Sequence, residues 1–213
     1  MAKRRRRHSP AQSAKRKVWA KRQEAYERKV RRLEKQLAPG GSGKPKIVTA
    51  AMQAIRPSAI FGGLGTPHYV TGHHTAGATD QSDDHAIALN RSYDDYHRSQ
   101  GWGGIGYHYC LARSGAILCL RPIVQKGAHV GNHNSNNVGV MCHGTTGDRP
   151  TDAQQRSLRW LLDNAHTAAM PAAHRSPVRL SGLPRRGHND WSGHEWNACP
   201  ATHKPMYLEG GHK

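Results

Sequence analysis

Short apolar runs separated by turn residues predict several β-strands in the second part of the chain. One β-prone run begins with residues 69–71 and leads directly to His73 and His74. The segment Arg113-Ser114-Gly115 is a hairpin signal between two further runs. The remaining predicted strands are residues 105–111, 116–120 and 137–142.

Helical periodicity appears between these strands. Over residues 82–99, apolar side chains recur at helical spacing, and Asp83 and Asp84 suit the first turn of a helix. A second helix is predicted to begin at Thr151 and to run to about Met170, and residues 171–213 are expected to be rich in loops. This alternation predicts an α/β domain, with a mixed central β-sheet and helices packed on it.

The N-terminal segment has a different pattern. Residues 12–38 contain no Gly or Pro and are rich in good helix formers. Its apolar side chains are about seven, four, three and four residues apart in the sequence. This spacing places them in a narrow stripe along one side of a helix, which predicts a helix with the rest of its surface in solvent. The sequence PGGSG that follows has little conformational preference. The predicted domain map is therefore a basic helical arm at residues 1–38, a flexible linker at 39–46 and a catalytic domain at 47–213.

Charge separates the arm from the domain still more clearly. The chain has a formal net charge of +18, and residues 1–46 hold 17 Lys and Arg against three acids. So dense a positive field favours an anionic partner. Nucleic acid, phospholipid and an anionic cell-wall polymer all fit this composition, and a helix that serves only solubility is the simpler alternative.

Several classes of protein are excluded or disfavoured by composition. No stretch approaches the roughly 20 apolar residues that a transmembrane helix needs. The start MAKRRRRHSP has no apolar run behind it, so we expect no secretory signal peptide. Four cysteines do not make a disulfide framework, and we expect Cys110, Cys119 and Cys142 to be reduced core residues.

Sixteen histidines are the compositional feature that points to chemistry. Three places combine metal-ligand side chains with strand ends or loops: the pair His73 and His74, then His188, then Cys199. A catalytic zinc ion takes three protein ligands from His, Cys or carboxylate and keeps a fourth position open. Taken singly, each of these residues is more often a surface or core group than a ligand.

Four ordered motifs strengthen the metal hypothesis. They are GHHTAG at residues 72–77, GWGGIGYHY at 101–109, GAHV at 127–130 with NVGV at 137–140, and His188 followed by Cys199-Pro200. Together they resemble the zinc N-acetylmuramoyl-L-alanine amidases, a family that includes phage lysins and the peptidoglycan recognition proteins. The resemblance implies the mixed α/β fold of that family and a bound Zn²⁺.

The resemblance also implies roles for individual residues. His73, His188 and Cys199 match the zinc ligands. Tyr107 matches a tyrosine that assists catalysis beside the metal. His129 matches a Gly-Ala-His turn that lines the substrate cleft. We place His74 with it on the substrate side of the site, and a structural role is the alternative for both.

One part of the chain departs from the family pattern. Cys199 lies eleven residues after His188, so this loop is about three residues longer than usual, and the extra residues fall at about 194–196. Many hydrolytic members have Lys two residues before the cysteine, where this chain has Asn197. The group that stabilises the transition state is then Asn197, His194 or neither. His194 is also an alternative zinc ligand, although the sequence HNDWSG that begins at His188 favours His188.

Amide hydrolysis needs an activated nucleophile and a means of stabilising an oxyanion, and zinc supplies both. A neutral Tyr107 hydroxyl can assist by hydrogen bonding. The ligand histidines need a partner for their second ring nitrogen, and Asp190 is a candidate.

We therefore predict a zinc amidase that cleaves between N-acetylmuramic acid and L-alanine, as a phage lysin does. We expect a monomer that stays in the host cytoplasm until its release and then acts on peptidoglycan, with the arm on an anionic wall polymer or the membrane surface. The alternatives are a non-catalytic peptidoglycan-binding module of the same fold and a cytoplasmic muropeptide-recycling amidase. A nucleic-acid-binding protein is a further alternative, but no nucleic-acid-binding motif is visible, so no nucleic-acid partner is expected.

Overall fold

A single mixed sheet organises the described part of the protein. The computed structural model describes residues 43–49 and 62–208, so the predicted arm and the first half of the predicted linker lie outside the described residues. Six described strands form the sheet in the order β1-β4-β3-β5-β2-β6. They are β1 (Ile47–Val48), β2 (Tyr69–His74), β3 (Tyr109–Leu111), β4 (Ile117–Cys119), β5 (Asn137–Cys142) and β6 (Arg185–Gly187).

The directions of the strands confirm the predicted mixed sheet. β3 and β4 form the predicted antiparallel hairpin, and the other neighbouring pairs are parallel. β2 and β5 pair over their full six residues at the centre. Nearly every residue of these two strands is buried, which explains why they appear in the sequence as continuous runs without clear alternation.

Helices cover both faces of the sheet. The helices are α1 (Asp83–Ser99), α2 (Asp152–Asn164) and the short α3 (Lys204–Leu208). Successive residues of a strand point to opposite faces. Accordingly, Val140 packs in a cluster with Leu158 and Leu161 of α2, while its neighbour Met141 packs in a second cluster with Ala86 of α1. None of the described helices is long and apolar enough to cross a membrane.

Both long helices begin where the sequence predicts. Ser82 caps α1 by accepting from the His85 amide, and Thr151 and Gln154 form a reciprocal capping box at the start of α2. The predicted end of α2 at Met170 is wrong, because the helix ends at Asn164. The Thr167 amide and hydroxyl both donate to the Asn164 carbonyl, at 2.9 Å each, and so close a turn.

The predicted strand at residues 105–111 is shorter, and only Tyr109–Leu111 forms β3. At the predicted start of this strand, the buried guanidinium of Arg121 takes the carbonyl groups of the turn at residues 102–105. It donates to the carbonyls of Trp102, Gly104 and Ile105 at 2.7–3.1 Å and to that of Lys126 at 3.0 Å. These carbonyls are therefore satisfied by a side chain and not by a neighbouring strand.

The C-terminal part contains two elements that the sequence pattern did not predict. β6 extends the sheet beside β2, although Arg185-Arg186-Gly187 has no β-prone residue. α3 places the Tyr207 ring against Gly72, where a Cβ atom would lie 2.2–2.5 Å from three ring atoms. The Tyr207 hydroxyl donates to the His73 carbonyl at 2.8 Å, so this packing fixes the end of β2 from behind.

The described cysteines behave as expected. All four are free thiols, and Cys110, Cys119 and Cys142 are at most 1% exposed.

Candidate metal centre

Two neighbouring parallel strands deliver the two central histidines to one place. Gly72 of β2 is paired with Gly187 of β6, so His73 and His188 follow at matched positions of adjacent strands. His188 opens a short 3-10 turn, and the chain returns to the same point at Cys199. The Asn189 amide donates to the Cys199 carbonyl at 3.1 Å, which ties the two ends of this loop together.

His73, His188 and Cys199 form a compact group of three potential metal ligands. Their ligand atoms all lie within 4.8 Å of one another. The His73 Nδ1 atom is 3.6 Å from the Cys199 Sγ atom, and the ring centroids of His73 and His188 are 4.9 Å apart. The structure thus brings together the three residues that the sequence motifs single out.

Burial sets the electrostatics of this group. Desolvation, with a smaller contribution from His129, holds the pKa of His73 well below its ordinary value. Burial followed by the neighbouring His194 lowers the pKa of His188 to about 4. Both imidazoles are therefore neutral at neutral pH, which is the state in which a histidine binds a metal. Burial also raises the pKa of the Cys199 thiol to about 11.

Each of the two histidines contacts a further histidine through its Nε2 atom. The His73 Nε2 atom lies 3.1 Å from Nδ1 of His129, whose own Nε2 atom lies 3.1 Å from the Asn137 carbonyl. The His188 Nε2 atom lies 3.1 Å from Nδ1 of His194. The His194 Nε2 atom in turn lies 3.0 Å from the Gly131 carbonyl. The predicted partner Asp190 makes neither of these contacts.

Asp190 holds the loop instead. Its carboxylate accepts from the Gly187 amide at 2.8 Å and from the Lys204 ammonium at 2.5 Å. The expectation that it supports a ligand imidazole is therefore wrong. Nothing in the sequence motifs identified His194 as a partner of His188, since only the folded path of the lengthened loop brings the two rings together.

Tyr107 lies against the histidine group. Its ring packs edge-on to that of His73, with 5.0 Å between the centroids. Burial, and then the nearby Cys199, raises the pKa of the Tyr107 phenol. The hydroxyl is consequently neutral at neutral pH and can donate a hydrogen bond.

Asn197 and His129 also lie at this site, whereas the His74 ring points away from it. The Asn197 Oδ1 atom accepts from the Cys199 amide at 2.9 Å, which leaves the Nδ2 group to donate elsewhere. The His74 imidazole is on the opposite face of β2, 3.1 Å from the Thr146 hydroxyl and stacked on His203. The His74 backbone amide nevertheless donates to Cys199 Sγ at 3.4 Å.

Comparison with known proteins agrees with this geometry. The sequence model of the N-acetylmuramoyl-L-alanine amidase family matches residues 63–202. The endolysin of Escherichia phage T7 is 35% identical over 78 residues, which is 34% of this chain and 52% of that protein. The chain thus spans about half the length of this curated relative.

Solved structures share the fold. N-acetylmuramoyl-L-alanine amidase LysC from Clostridium intestinale superposes with a TM-score of 0.54 at 23% identity, covering 76% of this chain and 93% of LysC. Peptidoglycan recognition protein-LE, in complex with tracheal cytotoxin, superposes with a TM-score of 0.58 at 21% identity. That match covers 74% of this chain and 85% of the other.

Proposed function

The chain belongs to the N-acetylmuramoyl-L-alanine amidase family, and from this premise we propose that it is a zinc-dependent peptidoglycan hydrolase. The bond cleaved is the amide between N-acetylmuramic acid and L-alanine. The observation that carries the proposal is the group of His73, His188 and Cys199, with ligand atoms within 4.8 Å of one another. The relationship to a phage endolysin favours host cell-wall degradation as the purpose.

The donor set fits zinc. With about 2.0–2.1 Å to nitrogen and about 2.3 Å to sulfur, tetrahedral zinc places N and S ligands about 3.6 Å apart. The separation between His73 Nδ1 and Cys199 Sγ is 3.6 Å. Two neutral imidazoles and one cysteine, which binds zinc as the thiolate, are also the ligand types found in catalytic zinc sites that keep one position open. His73, His188 and Cys199 would hold the ion.

When bound, zinc supplies an electrophile that polarises the scissile carbonyl and lowers the pKa of water to about 7. The residues of this chain do the rest. We assign to the neutral Tyr107 hydroxyl a hydrogen bond to the developing oxyanion, and the packing of its ring against that of His73 supports this role. Asn197 Nδ2 is a second donor, without the positive charge that a lysine would bring. Both ring nitrogens of His129 are engaged, by His73 and by the Asn137 carbonyl, so the substrate-side role expected of it stays a prediction; His74 contributes through its backbone.

A hydrolase is favoured over a non-catalytic binding module by the completeness of the ligand set. A module that only binds peptidoglycan has no need of a thiol. Here Cys199 faces His73 and receives the His74 amide. Peptidoglycan as the ligand class is supported by the fold of recognition protein-LE, which is described in complex with a monomeric diaminopimelic acid-type peptidoglycan.

Zinc content and wall hydrolysis of the purified protein test the proposal. We expect one zinc ion per chain, loss of hydrolysis on chelation and recovery when zinc is restored. Alanine at His73, His188 or Cys199 should abolish both zinc retention and hydrolysis. His166→Ala is the matched control, because this histidine is exposed. A wild-type protein that hydrolyses muropeptides after complete zinc removal would refute the zinc proposal.

We also propose that the arm at residues 1–38 tethers the enzyme to the wall polymer or to the adjacent membrane surface. The high positive charge of residues 1–46 carries this proposal. Tethering raises the local enzyme concentration at an insoluble substrate without any contact to the scissile bond. The enzyme would be made in the host cytoplasm and act on the wall after release.

A further inference from the structure

Each of the two histidines proposed to bind zinc is the first member of a short hydrogen-bonded chain, and the two chains have the same form. Each chain runs from a ligand histidine through a second histidine to a backbone carbonyl. The first chain is His73, His129 and the carbonyl of Asn137, and the second is His188, His194 and the carbonyl of Gly131. Every N···N or N···O distance in them is 3.0–3.1 Å.

The terminal carbonyl fixes the position of every proton in such a chain. A carbonyl oxygen only accepts, so the nitrogen that faces it must carry a hydrogen. The other nitrogen of a neutral imidazole then has a lone pair and accepts from the next ring. His129 and His194 therefore each present Nδ1 as an acceptor, and the ligand histidine must donate from Nε2. A lone pair is left on Nδ1 of His73 and of His188.

For His73 this result agrees with an independent distance. The nitrogen that the chain leaves unprotonated, Nδ1, is the one that lies 3.6 Å from Cys199 Sγ. The Asn137 carbonyl thus determines the tautomer of His129 and, through it, that of His73. As a result, Nδ1 of His73 carries a lone pair that faces the Cys199 thiol.

We propose that His129 and His194 are positioning residues that hold His73 and His188 in the Nε2–H tautomer before any metal is bound. This inference rests on the proposed zinc function of the two ligand histidines. It gives the lengthened loop at about residues 194–196 a purpose, because His194 belongs to that loop. It also replaces the two roles left open for His194: with both ring nitrogens engaged, the residue supports the ligand His188, and neither takes its place on the metal nor donates to the transition state.

A purely structural role for His194 is the competing explanation, since its bond to Gly131 also ties two loops together. The chain offers a matched comparison. His133 makes the same kind of tie, with Nε2 3.1 Å from the Ser192 carbonyl and its ring stacked on Trp191. Among the described contacts of His133, none is with His188, although its ring lies edge-on to that of His194 with 6.0 Å between the centroids. His133→Leu therefore removes a loop tie and this ring contact but leaves the acceptor for His188, whereas His194→Leu removes a loop tie and that acceptor.

The test measures the tautomers in metal-free protein and the zinc affinity in the same variants. In ¹⁵N-histidine-labelled apoprotein, NMR should show His73 and His188 protonated at Nε2. His194→Leu should mix the tautomers of His188 and weaken zinc binding by about 10–100-fold in a chelator competition. His194→Gln should largely restore both, because its amide oxygen accepts while its NH₂ group donates to Gly131. His133→Leu should leave the His188 tautomer unchanged.

Two results would overturn the inference. One is a wild-type apoprotein with His188 protonated at Nδ1. The other is a folded His194→Leu variant that keeps both the tautomer and the zinc affinity of the wild type. Because the tautomers are read without metal, these results are separate from failure of the proposed function, which would appear as wild-type protein that binds no zinc.

Discussion

A single methyl group at Gly139 should displace the ring of His129. A Cβ atom there would lie 2.6, 2.7 and 2.9 Å from three atoms of that imidazole. An ordinary contact begins near 3.4 Å, so the ring must move by roughly 0.5–0.8 Å. The ring is held at both nitrogens, by His73 and by the Asn137 carbonyl. A hydrogen bond of 3.1 Å that is lengthened by this amount reaches about 3.6–3.9 Å, which is beyond hydrogen-bonding distance.

The Gly139→Ala substitution should lower the free energy of unfolding. A Gly→Ala change in a strand whose backbone suits alanine ordinarily stabilises a protein by about 0.4–1 kcal/mol. Overpacking a rigid site costs about 1–3 kcal/mol, and strain should outweigh the gain here. We therefore expect Gly139→Ala to lower the unfolding free energy by about 1–2 kcal/mol and Tm by about 2–4 °C for each kcal/mol. Zinc affinity should fall with the His73 contact.

Thermal unfolding of the wild type and four variants measures this effect. Gly182→Ala is the control, because a Cβ there meets nothing within 4 Å. On a His129→Ala background the same Gly139→Ala change should cost little, since the ring it strikes is gone. The two substitutions should therefore be coupled by about 0.5–3 kcal/mol. Equal Tm values for Gly139→Ala and Gly182→Ala, or strict additivity with His129→Ala, would refute the packing argument.

Three further expectations test other parts of the molecule. Tyr107→Phe should lower kcat by about 10²-fold or more with zinc still bound, because the only group lost is the neutral hydroxyl donor; an active variant would make the residue a packing group. Arg121→Lys should lower the unfolding free energy in urea by about 2–4 kcal/mol, since an ammonium cannot reach all four carbonyls that the guanidinium satisfies. A chain beginning at Lys46 should cleave soluble muropeptides as fast as the full chain but clear intact walls less well. That deficit should shrink as added salt screens the attraction between the arm and the wall, for which the Debye length is about 8 Å at physiological salt. Equal wall clearance by the two proteins at low salt would refute the tethering proposal.

The sequence predicted the centre of the fold well and its edges poorly. β2 and β5 were recognised because strands buried on both faces form continuous β-prone runs. At the predicted start of β3, the carbonyl of Ile105 is taken by the side chain of Arg121, a charged partner that is remote in sequence and that the strand pattern does not indicate. β6 could not be recognised, since Arg185 and Arg186 enter the sheet only through pairing with β2.

The same division applies to the site. His73, His188 and Cys199 were identified through local motifs, each of which lies within a short stretch of sequence. The partners of the histidines depend on contacts between residues 56 apart in one case and on a loop conformation in the other. Asp190 was a reasonable candidate by proximity in sequence, but Lys204 and the Gly187 amide satisfy its carboxylate first.

His73 and His188, the two histidines proposed as ligands, both depend on the segment between His129 and Asn137, which explains its unusual composition. The carbonyls of Gly131 and Asn137 terminate the two histidine chains, so the backbone of this segment must be fixed at two points. Asn132 and Asn136 adopt left-handed conformations, with φ of 65° and 55°, which asparagine tolerates better than most residues.

Asparagine side chains also stiffen the segment from within. The Asn134 Oδ1 atom accepts from the amides of His129 and Val130 at 2.8 and 2.9 Å, and Asn137 Nδ2 donates to the His133 carbonyl at 2.8 Å. These bonds are local to the turn, and Asn136 also ties its end to the neighbouring segment, since its amide donates to the Leu64 carbonyl and its carbonyl accepts from the amides of His68 and Tyr69. The sequence GNHNSNN at residues 131–137 therefore has a physical reason to be rich in asparagine. It forms a rigid turn that holds His129 and supplies the acceptors for both histidine chains.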